Sequence, residues 1–297
     1  MKRSMAILVA ILVVLGVATY LVLQRPGEQS SSGLMGEKLV NYDSAAVDRI
    51  EVTTRQERIT LAREAGIWML KEPVTYRADE ALVTQMVGKG RSIELKSLVS
   101  SNPQKQQVFD LDSAGGALVR VYERGTETST FRIGKASASF TETYVRRENS
   151  TEVYLGDGIF GYLFNRQARD WRDKSIYQTE QSSISSVRFQ YGDTLFTLVR
   201  KDSLWFADRD TANESSVNEF LGALAKFQTD EFVDSTIALQ QPKAVIETGG
   251  TQLQFYPHPT AGRYYVRSSA SPQVFEIQSW RASQLLKRKK DFLPPRA

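Results

Sequence analysis

The sequence predicts an α+β protein in which one N-terminal transmembrane helix is followed by two tandem repeats, each a mainly antiparallel sheet with packed helices. Three observations predict it. Residues 5–23 are apolar except for Gly16 and Thr19. One set of residue classes recurs in order in the two halves of the 297-residue chain. Short β-rich stretches surround a helix stripe in each half.

The apolar run comes first. Nineteen residues rising about 1.5 Å each make a helix of about 28 Å, close to the hydrocarbon thickness of a bilayer. The run is longer than the core of a cleaved signal peptide and lacks an A-x-A-like site, so an uncleaved anchor over 1–25 is expected. Lys2 and Arg3 favour a cytoplasmic N-terminus, with the bulk of the chain periplasmic or otherwise extracytoplasmic, although Arg25 reduces the charge contrast. Residues 26–44 are rich in Gly, Ser and charge and are expected to form a flexible tether.

A first repeat is expected over 45–180 and a second over 181–297. At a shift of 137 residues, Ile50 matches Val187, Leu61 matches Leu198, Arg63 matches Arg200 and Trp68 matches Trp205. At a shift of 134, Asp79-Glu80 matches Asn213-Glu214, Val83 matches Val217 and Met86-Val87 matches Phe220-Leu221. At a shift of 121, Tyr144-Val145-Arg146 matches Tyr265-Val266-Arg267 and Arg169-Asp170-Trp171 matches Lys290-Asp291-Phe292. The falling shift implies a second copy shorter by about one small hairpin.

Within the first copy, strands are expected around Val47 to Val52, over 58–63 and over 67–70, where apolar residues alternate. Asp79 then caps a helix whose Val83, Met86, Val87 and Gly90 share one side; Asn213 caps its counterpart. Further strands follow at 118–122, 128–133, 143–147 and 152–155, and a closing helix ends each copy.

Composition limits the chemistry. The chain is 41% hydrophobic and 24% charged, with no cysteine and one histidine. Thiolate and multi-histidine metal sites are therefore excluded, and a Ser-His-Asp triad would depend on His258, held between Pro257 and Pro259. The three basic residues in 1–25 and the six in 281–297, set against one acid there, leave 29 basic and 33 acidic side chains between. The pI of 9.1 thus reflects basic ends rather than a basic domain, which disfavours nucleic-acid binding.

Each chemical candidate has a plainer alternative. Trp68 and Trp205 suit ligand stacking, but their repeat symmetry favours core anchors. Asp110 and Asp112, Asp170 and Asp173, and Asp208 and Asp210 suit a glycosidase or a cation site, or else solvated turns. Gly115-Gly116 and Gly156-Asp157-Gly158 lack a phosphate-loop context and read as turns. Asn149-Ser150-Thr151 and Asn213-Glu214-Ser215 fit glycosylation sequons. The run Lys287-Arg288-Lys289-Lys290 is expected on a solvated face of the closing helix, with anionic lipid, a cell-wall polymer or an acidic partner as its alternative targets.

With the repeat in hand, Ile59-Thr60-Leu61, Trp68-Met69-Leu70, Pro73, Ala78-Asp79, Phe109-Asp110-Leu111-Asp112, Phe131-Arg132-Ile133-Gly134, Tyr144-Val145 and Asp170-Trp171-Arg172-Asp173-Lys174 together resemble a bacterial family, domain of unknown function 4340. The resemblance covers most of 45–240. It implies a single-pass membrane protein of the kind often encoded beside gliding-motility-type ABC transporters, and it carries over no catalytic residue. The Gly115-Gly116 turn departs from it, because a proline is more usual there.

The functional expectation is a non-enzymatic, membrane-anchored extracytoplasmic accessory protein that binds a partner in an ABC transporter or envelope complex. No catalytic, metal-binding or cofactor-binding residue and no cofactor are nominated. The alternative is an envelope carbohydrate-binding protein or hydrolase using carboxylates between the repeats.

Overall fold

The computed structural model describes residues 13–15, 34 and 36–294. The expected anchor therefore lies outside the described residues except for Val13, Val14 and Leu15, which are helical and exposed. Among the described residues, no helix is long and apolar enough to cross a membrane. The chain divides into two compact units, Met1–Asp173 and Lys174–Ala297.

In the first unit the order is β1 (Val47–Thr53), β2 (Arg58–Glu64), β3 (Ile67–Glu72), β4 (Tyr76–Arg77), α1 (Glu80–Arg91), β5 (Leu95–Ser100), β6 (Ala117–Glu123), β7 (Thr126–Ala136), β8 (Glu142–Arg147), β9 (Val153–Asp157) and the short α2 (Gly161–Phe164). Among the described residues these strands make one nine-stranded sheet, ordered β4-β3-β2-β1-β6-β7-β8-β9-β5, with antiparallel neighbours throughout. Helix α1 joins β4 at one edge to β5 at the other, so it has to cross a face of the sheet. It buries Val83, Met86, Val87 and Gly90, the side expected from its 3.6-residue period.

The second unit contains β10 (Ser175–Gln178), β11 (Ser186–Tyr191), β12 (Thr194–Lys201), β13 (Leu204–Ala207), β14 (Asp210–Thr211), α3 (Glu214–Ala225), β15 (Lys226–Gln228), β16 (Glu231–Val233), β17 (Ala244–Thr248), β18 (Thr251–Pro257), β19 (Arg263–Ser268), β20 (Val274–Gln278) and α4 (Ser279–Leu285). Its large sheet runs β14-β13-β12-β11-β17-β18-β19-β20-β16, the order of the first sheet strand for strand. Both cores are made by the inward-facing alternate residues of their strands: Ile50, Val52 and Val119 in one, Val187, Phe189 and Ile246 in the other.

Individual hydrogen bonds repeat as well. The Leu82 amide donates to Asp79 Oδ1 and the Ser216 amide to Asn213 Oδ1, both at 3.0 Å. The Asp79 amide donates to the Trp171 carbonyl at 2.8 Å, and the Asn213 amide to the Phe292 carbonyl at 2.7 Å. Trp171 and Phe292 each end a short 3-10 turn, Ala168–Trp171 and Lys289–Phe292, and both are fully buried. The three-residue slip in the alignment has a local cause. Strand β3 is two residues longer than β13 and the β3–β4 connection one residue longer than that between β13 and β14, while Ala78 and Ala212 still donate to the carbonyls of Trp68 and Trp205.

Three expectations need correction. From Glu37 onward, the stretch expected as tether is part of the fold. Leu39 is fully buried, and the Leu95 amide donates to the Glu37 carbonyl at 2.8 Å, as the Thr229 amide does to Lys174 in the second unit. The bridge Lys38↔Glu94 has its counterpart in Ser175↔Gln228. Each copy therefore opens with an edge strap, and the unit boundary falls at Asp173/Lys174, ahead of the 180/181 division expected from sequence.

Second, the shorter copy loses no strand. The saving lies in the β5–β6 connection, where the first unit carries the 3-10 helix Pro103–Phe109, and in the shorter β17 and β18. Third, the basic run lies beyond α4, leading into the turn Lys289–Phe292, rather than on the helix.

Candidate functional site

Most of the sequence-nominated residues serve the fold. Trp68 is in the core with Arg63 over its ring at 5.1 Å, and Trp205 repeats the arrangement with Arg200 at 5.9 Å. Asp170 Oδ2 accepts from the Gln167 amide at 3.2 Å, capping its 3-10 turn, and Asp173 pairs with Arg77 at 3.3 Å. Asp208 Oδ1 accepts from the Thr197 amide. Lys289 of the basic run bridges Asp208 at 2.9 Å and Asp210 at 3.1 Å. Burial acts to raise the Asp208 carboxyl, but the hydrogen bonds from Lys289 and Thr197 outweigh it and hold the group below its ordinary value.

Arg288 lies over the Tyr191 ring at 3.6 Å, and Tyr191 donates to the Lys287 carbonyl at 2.6 Å. Two of the four basic side chains, Arg288 and Lys289, are thus engaged within the second unit. Asn213 is the α3 cap, and Asn149 is exposed in the β8–β9 turn. Among the described residues, no three His, Asp or Glu side chains converge as a metal site needs.

The remaining pair, Asp110 and Asp112, belongs to a corner found in the first unit. Asn102 caps the 3-10 helix Pro103–Phe109, and Asp110 ends it at φ +55°, in the left-handed region that a short polar side chain tolerates. Asp112 Oδ1 then accepts from the Gly115 amide at 2.8 Å and closes the turn. Gly116 follows at φ +62°, and a Cβ there would lie 2.2 Å from the Ile133 carbonyl and 2.3 Å from that of Asp110. A proline, whose φ is fixed near −65°, cannot occupy Gly116 in this conformation.

The same corner draws in the other signature residues. A Cβ on Gly134 would lie 2.2 Å from the Phe109 carbonyl. The Phe109 and Tyr144 rings pack at 4.8 Å. Arg132 donates to the Asp112 carbonyl at 2.9 Å and to Glu148 Oε2 at 2.7 Å, and Arg146 donates to the Ser150 carbonyl at 2.6 Å. Residues far apart in sequence therefore form one packed joint, which spacing alone does not reveal.

Beneath this joint is a cavity of about 240 Å³, lined by Asp110, Gly116 and Ala117 on one side, by 133–136 along β7, and by Ile159, Gly161, Phe164 and Asn165 on the other. Its lining mixes apolar residues such as Ile133, Ile159 and Phe164 with the polar Asp110, Lys135, Thr143 and Asn165. A larger open cleft of about 620 Å³ runs beside Leu39, Val40 and Asn41. Its charges are already paired, Arg147 with Glu37 at 2.8 Å and Arg120 with Glu127 at 3.9 Å. The strap and this clamp by Arg147 were missed by the sequence reading. The signal for them was the 137-residue shift continued upstream, which aligns Leu39 with Ile176.

Comparison with curated proteins and with solved structures finds no significant match. A family model described as Domain of unknown function (DUF4340) matches residues 68–243, a span that holds the corner and both long helices. More than half of the chain is matched by this model, and the chain belongs to the DUF4340 family.

Proposed function

We propose that the chain is a non-enzymatic accessory protein of the cytoplasmic membrane. In this reading residues 5–23 span the bilayer once with the N-terminus inside, and the two modules stand outside the cytoplasm, where they bind a protein partner in a transporter or envelope complex. The observation that carries the reading is the nineteen-residue apolar run directly upstream of a folded, duplicated body. Because the strap begins at Glu37, thirteen residues, 24–36, separate the span from the first module. The partner class expected from the family resemblance is an ABC transporter of the gliding-motility type.

The carbohydrate-binding or hydrolytic alternative has less support. Asp112, Asp170, Asp173, Asp208 and Asp210 are engaged in turns, caps and ion pairs, whereas acid-base catalysis needs carboxylates free to face a cleft.

A reporter fused after residue 100 tests the topology, and crosslinking in intact membranes tests the partnership. The expected results are activity of an export-dependent reporter and recovery of a membrane transport or envelope component. A cytoplasmic reporter signal, or crosslinks that contain no such component, contradicts the proposal.

A further inference from the structure

We propose that the end of the first unit at which the chain enters the fold is a membrane-contact surface, with Phe140 and Ile159 dipping into the interfacial layer of the bilayer. This rests on the anchoring proposed above and adds which part of the module meets the lipid.

Backbone hydrogen bonds gather four segments at that end. The Leu95 amide donates to the Glu37 carbonyl at 2.8 Å and the Asp157 amide to the Glu94 carbonyl at 2.9 Å, so the strap, the start of β5 and the end of β9 lie side by side. Asp157 in turn faces Glu142, the first residue of β8. The β7–β8 turn, 137–141, is joined to the same place by the Gly158 amide, which donates to the Thr141 carbonyl at 3.2 Å. Phe140 stands in that turn and is 77% exposed, and Ile159, next to Gly158, is 37% exposed. Tyr162, in α2, is 54% exposed and has the amphipathic ring favoured at headgroup level.

The turn holds Phe140 outward by construction. Its φ of +56° lies in the left-handed region, a costly one for a bulky residue. Ser139 and Thr141 on either side of it donate to Glu142 Oε2 at 2.6 and 2.8 Å, and Ser137 donates to the same oxygen at 3.0 Å. The second unit supplies the comparison. Its β18–β19 turn, 258–262, has the same length and is tied down in the same way, by the Ser279 amide donating to the Gly262 carbonyl at 2.8 Å. There Ala261 takes the place of Phe140. Trp280, at the place of Ile159, is engaged within its own unit, donating to Gln278 Oε1 at 3.1 Å with Arg281 over its ring at 4.6 Å. The aromatic at the turn thus belongs to the copy that directly follows the apolar run.

Residues 24–36 reach about 45 Å at most when fully extended, so the end at Glu37 is the part of the unit whose distance from the bilayer is bounded most tightly. Charges of both signs share this end, Lys38, Lys96 and Lys135 beside Glu94, Glu142 and Asp157. The contact is therefore driven by apolar burial and does not call for anionic lipid.

The chain has no cysteine, so a single introduced thiol carries a nitroxide label at one defined place. Phe140→Cys and Ile159→Cys are labelled in the full chain, reconstituted in nanodiscs of zwitterionic phosphatidylcholine. Val14→Cys is the reference within the proposed span, and Asn149→Cys, exposed in the turn at the other end of β8, is the reference in water. Collisions with oxygen, which concentrates in the bilayer, and with a water-soluble nickel chelate read where each label lies. The labels at 140 and 159 should be open to oxygen and shielded from the chelate, and the label at 149 the reverse. Phe140→Ala, the residue of the sibling turn, should shift the lipid-to-water ratio of the label at 159 about tenfold toward water. Labels at 140 and 159 as open to the chelate as that at 149 overturn the proposal. Shielding from both agents also overturns it, by showing burial against protein. A lipid signal at 14 beside water signals at 140 and 159 removes this contact and keeps the anchor, whereas a water signal at 14 contradicts the anchor itself.

Discussion

At the start of their long helices the two units are nearly interchangeable, whereas between their fifth and sixth strands they are not. Asp79 and Asn213 cap through the same atoms at the same distance, and each donates its amide to the carbonyl of a buried aromatic that ends a 3-10 turn. Charge is less faithfully repeated than geometry. Glu51 is buried on β1 with Arg58 at 2.9 Å, yet the residue aligned with it is Arg188, which faces Glu247 across the strands. The first unit's strap is clamped by Arg147, while Ser268 stands at the corresponding place in the second. The comparison teaches that the module is defined by its backbone pairing and apolar face, and that the additions made to one copy are where specific recognition has room to arise.

The largest expected effects come from the straps. Leu39→Ala and Ile176→Ala each remove a buried side chain from the opening strap of a copy and should cost about 2–5 kcal/mol. Denaturant unfolding of the full chain measures this. A cost near zero for either would show that its strap is not part of the folded module.

Gly116→Ala comes next and separates the copies. It places a methyl against two carbonyls at positive φ, so a loss of about 1–3 kcal/mol is expected. The reciprocal change in the second unit, Lys243→Ala, should be close to neutral, because its hydrogen bond is made by the main chain. Near-equal losses would remove the distinction drawn at this corner.

The caps should behave alike. Asp79→Ala and Asn213→Ala are each expected to cost about 1 kcal/mol, read by the same unfolding measurement. A difference greater than about twofold would break the equivalence of the two helix starts.

The smallest effects are those of pH. Hydrogen bonds from Ser139, Thr141 and Ser137 lower the Glu142 carboxyl from 4.5 to about 2. A carboxyl depressed in the folded state contributes stability that is present above its unfolded value and lost as pH falls toward the folded one. Glu142→Gln should therefore flatten the first unit's acid sensitivity between pH 4.5 and about 2. Asp208→Asn should do the same for the second unit below pH 3.8. Lys289, raised by its hydrogen bonds to Asp208 and Asp210, has the opposite sign, and its contribution is lost as pH rises through its folded value. Near-UV circular dichroism checks these slopes, in an acid titration for the two carboxyls and an alkaline one for Lys289.

The sheet-and-helix class, the duplication and the two cap-and-stripe helices were legible in the sequence because each has a local period or a local hydrogen-bonding signature. Val83, Met86, Val87 and Gly90 advertise a helix face, and Asp79 advertises its start. The straps were not legible as strands, because Glu37, Lys38 and Leu39 form a single bridge whose stability comes from pairing with a segment more than fifty residues away. The corner was half legible. Its glycines read as turns, but its role depends on Phe109, Gly134 and Tyr144 meeting in space, and no spacing rule encodes that contact. The basic run was misplaced because a charged stretch after an amphipathic helix looks like its continuation until Asp291 and Phe292 pin the chain into a 3-10 turn.

Amide hydrogen exchange on the full chain tests most directly whether each copy begins at its strap. The Leu95 amide, bonded to Glu37, and the Thr229 amide, bonded to Lys174, should be protected to similar degrees and should both lose that protection only with their own unit's core. Free exchange at Leu95 beside a protected Thr229 would return 37–43 to the role of a loose linker and contradict the account.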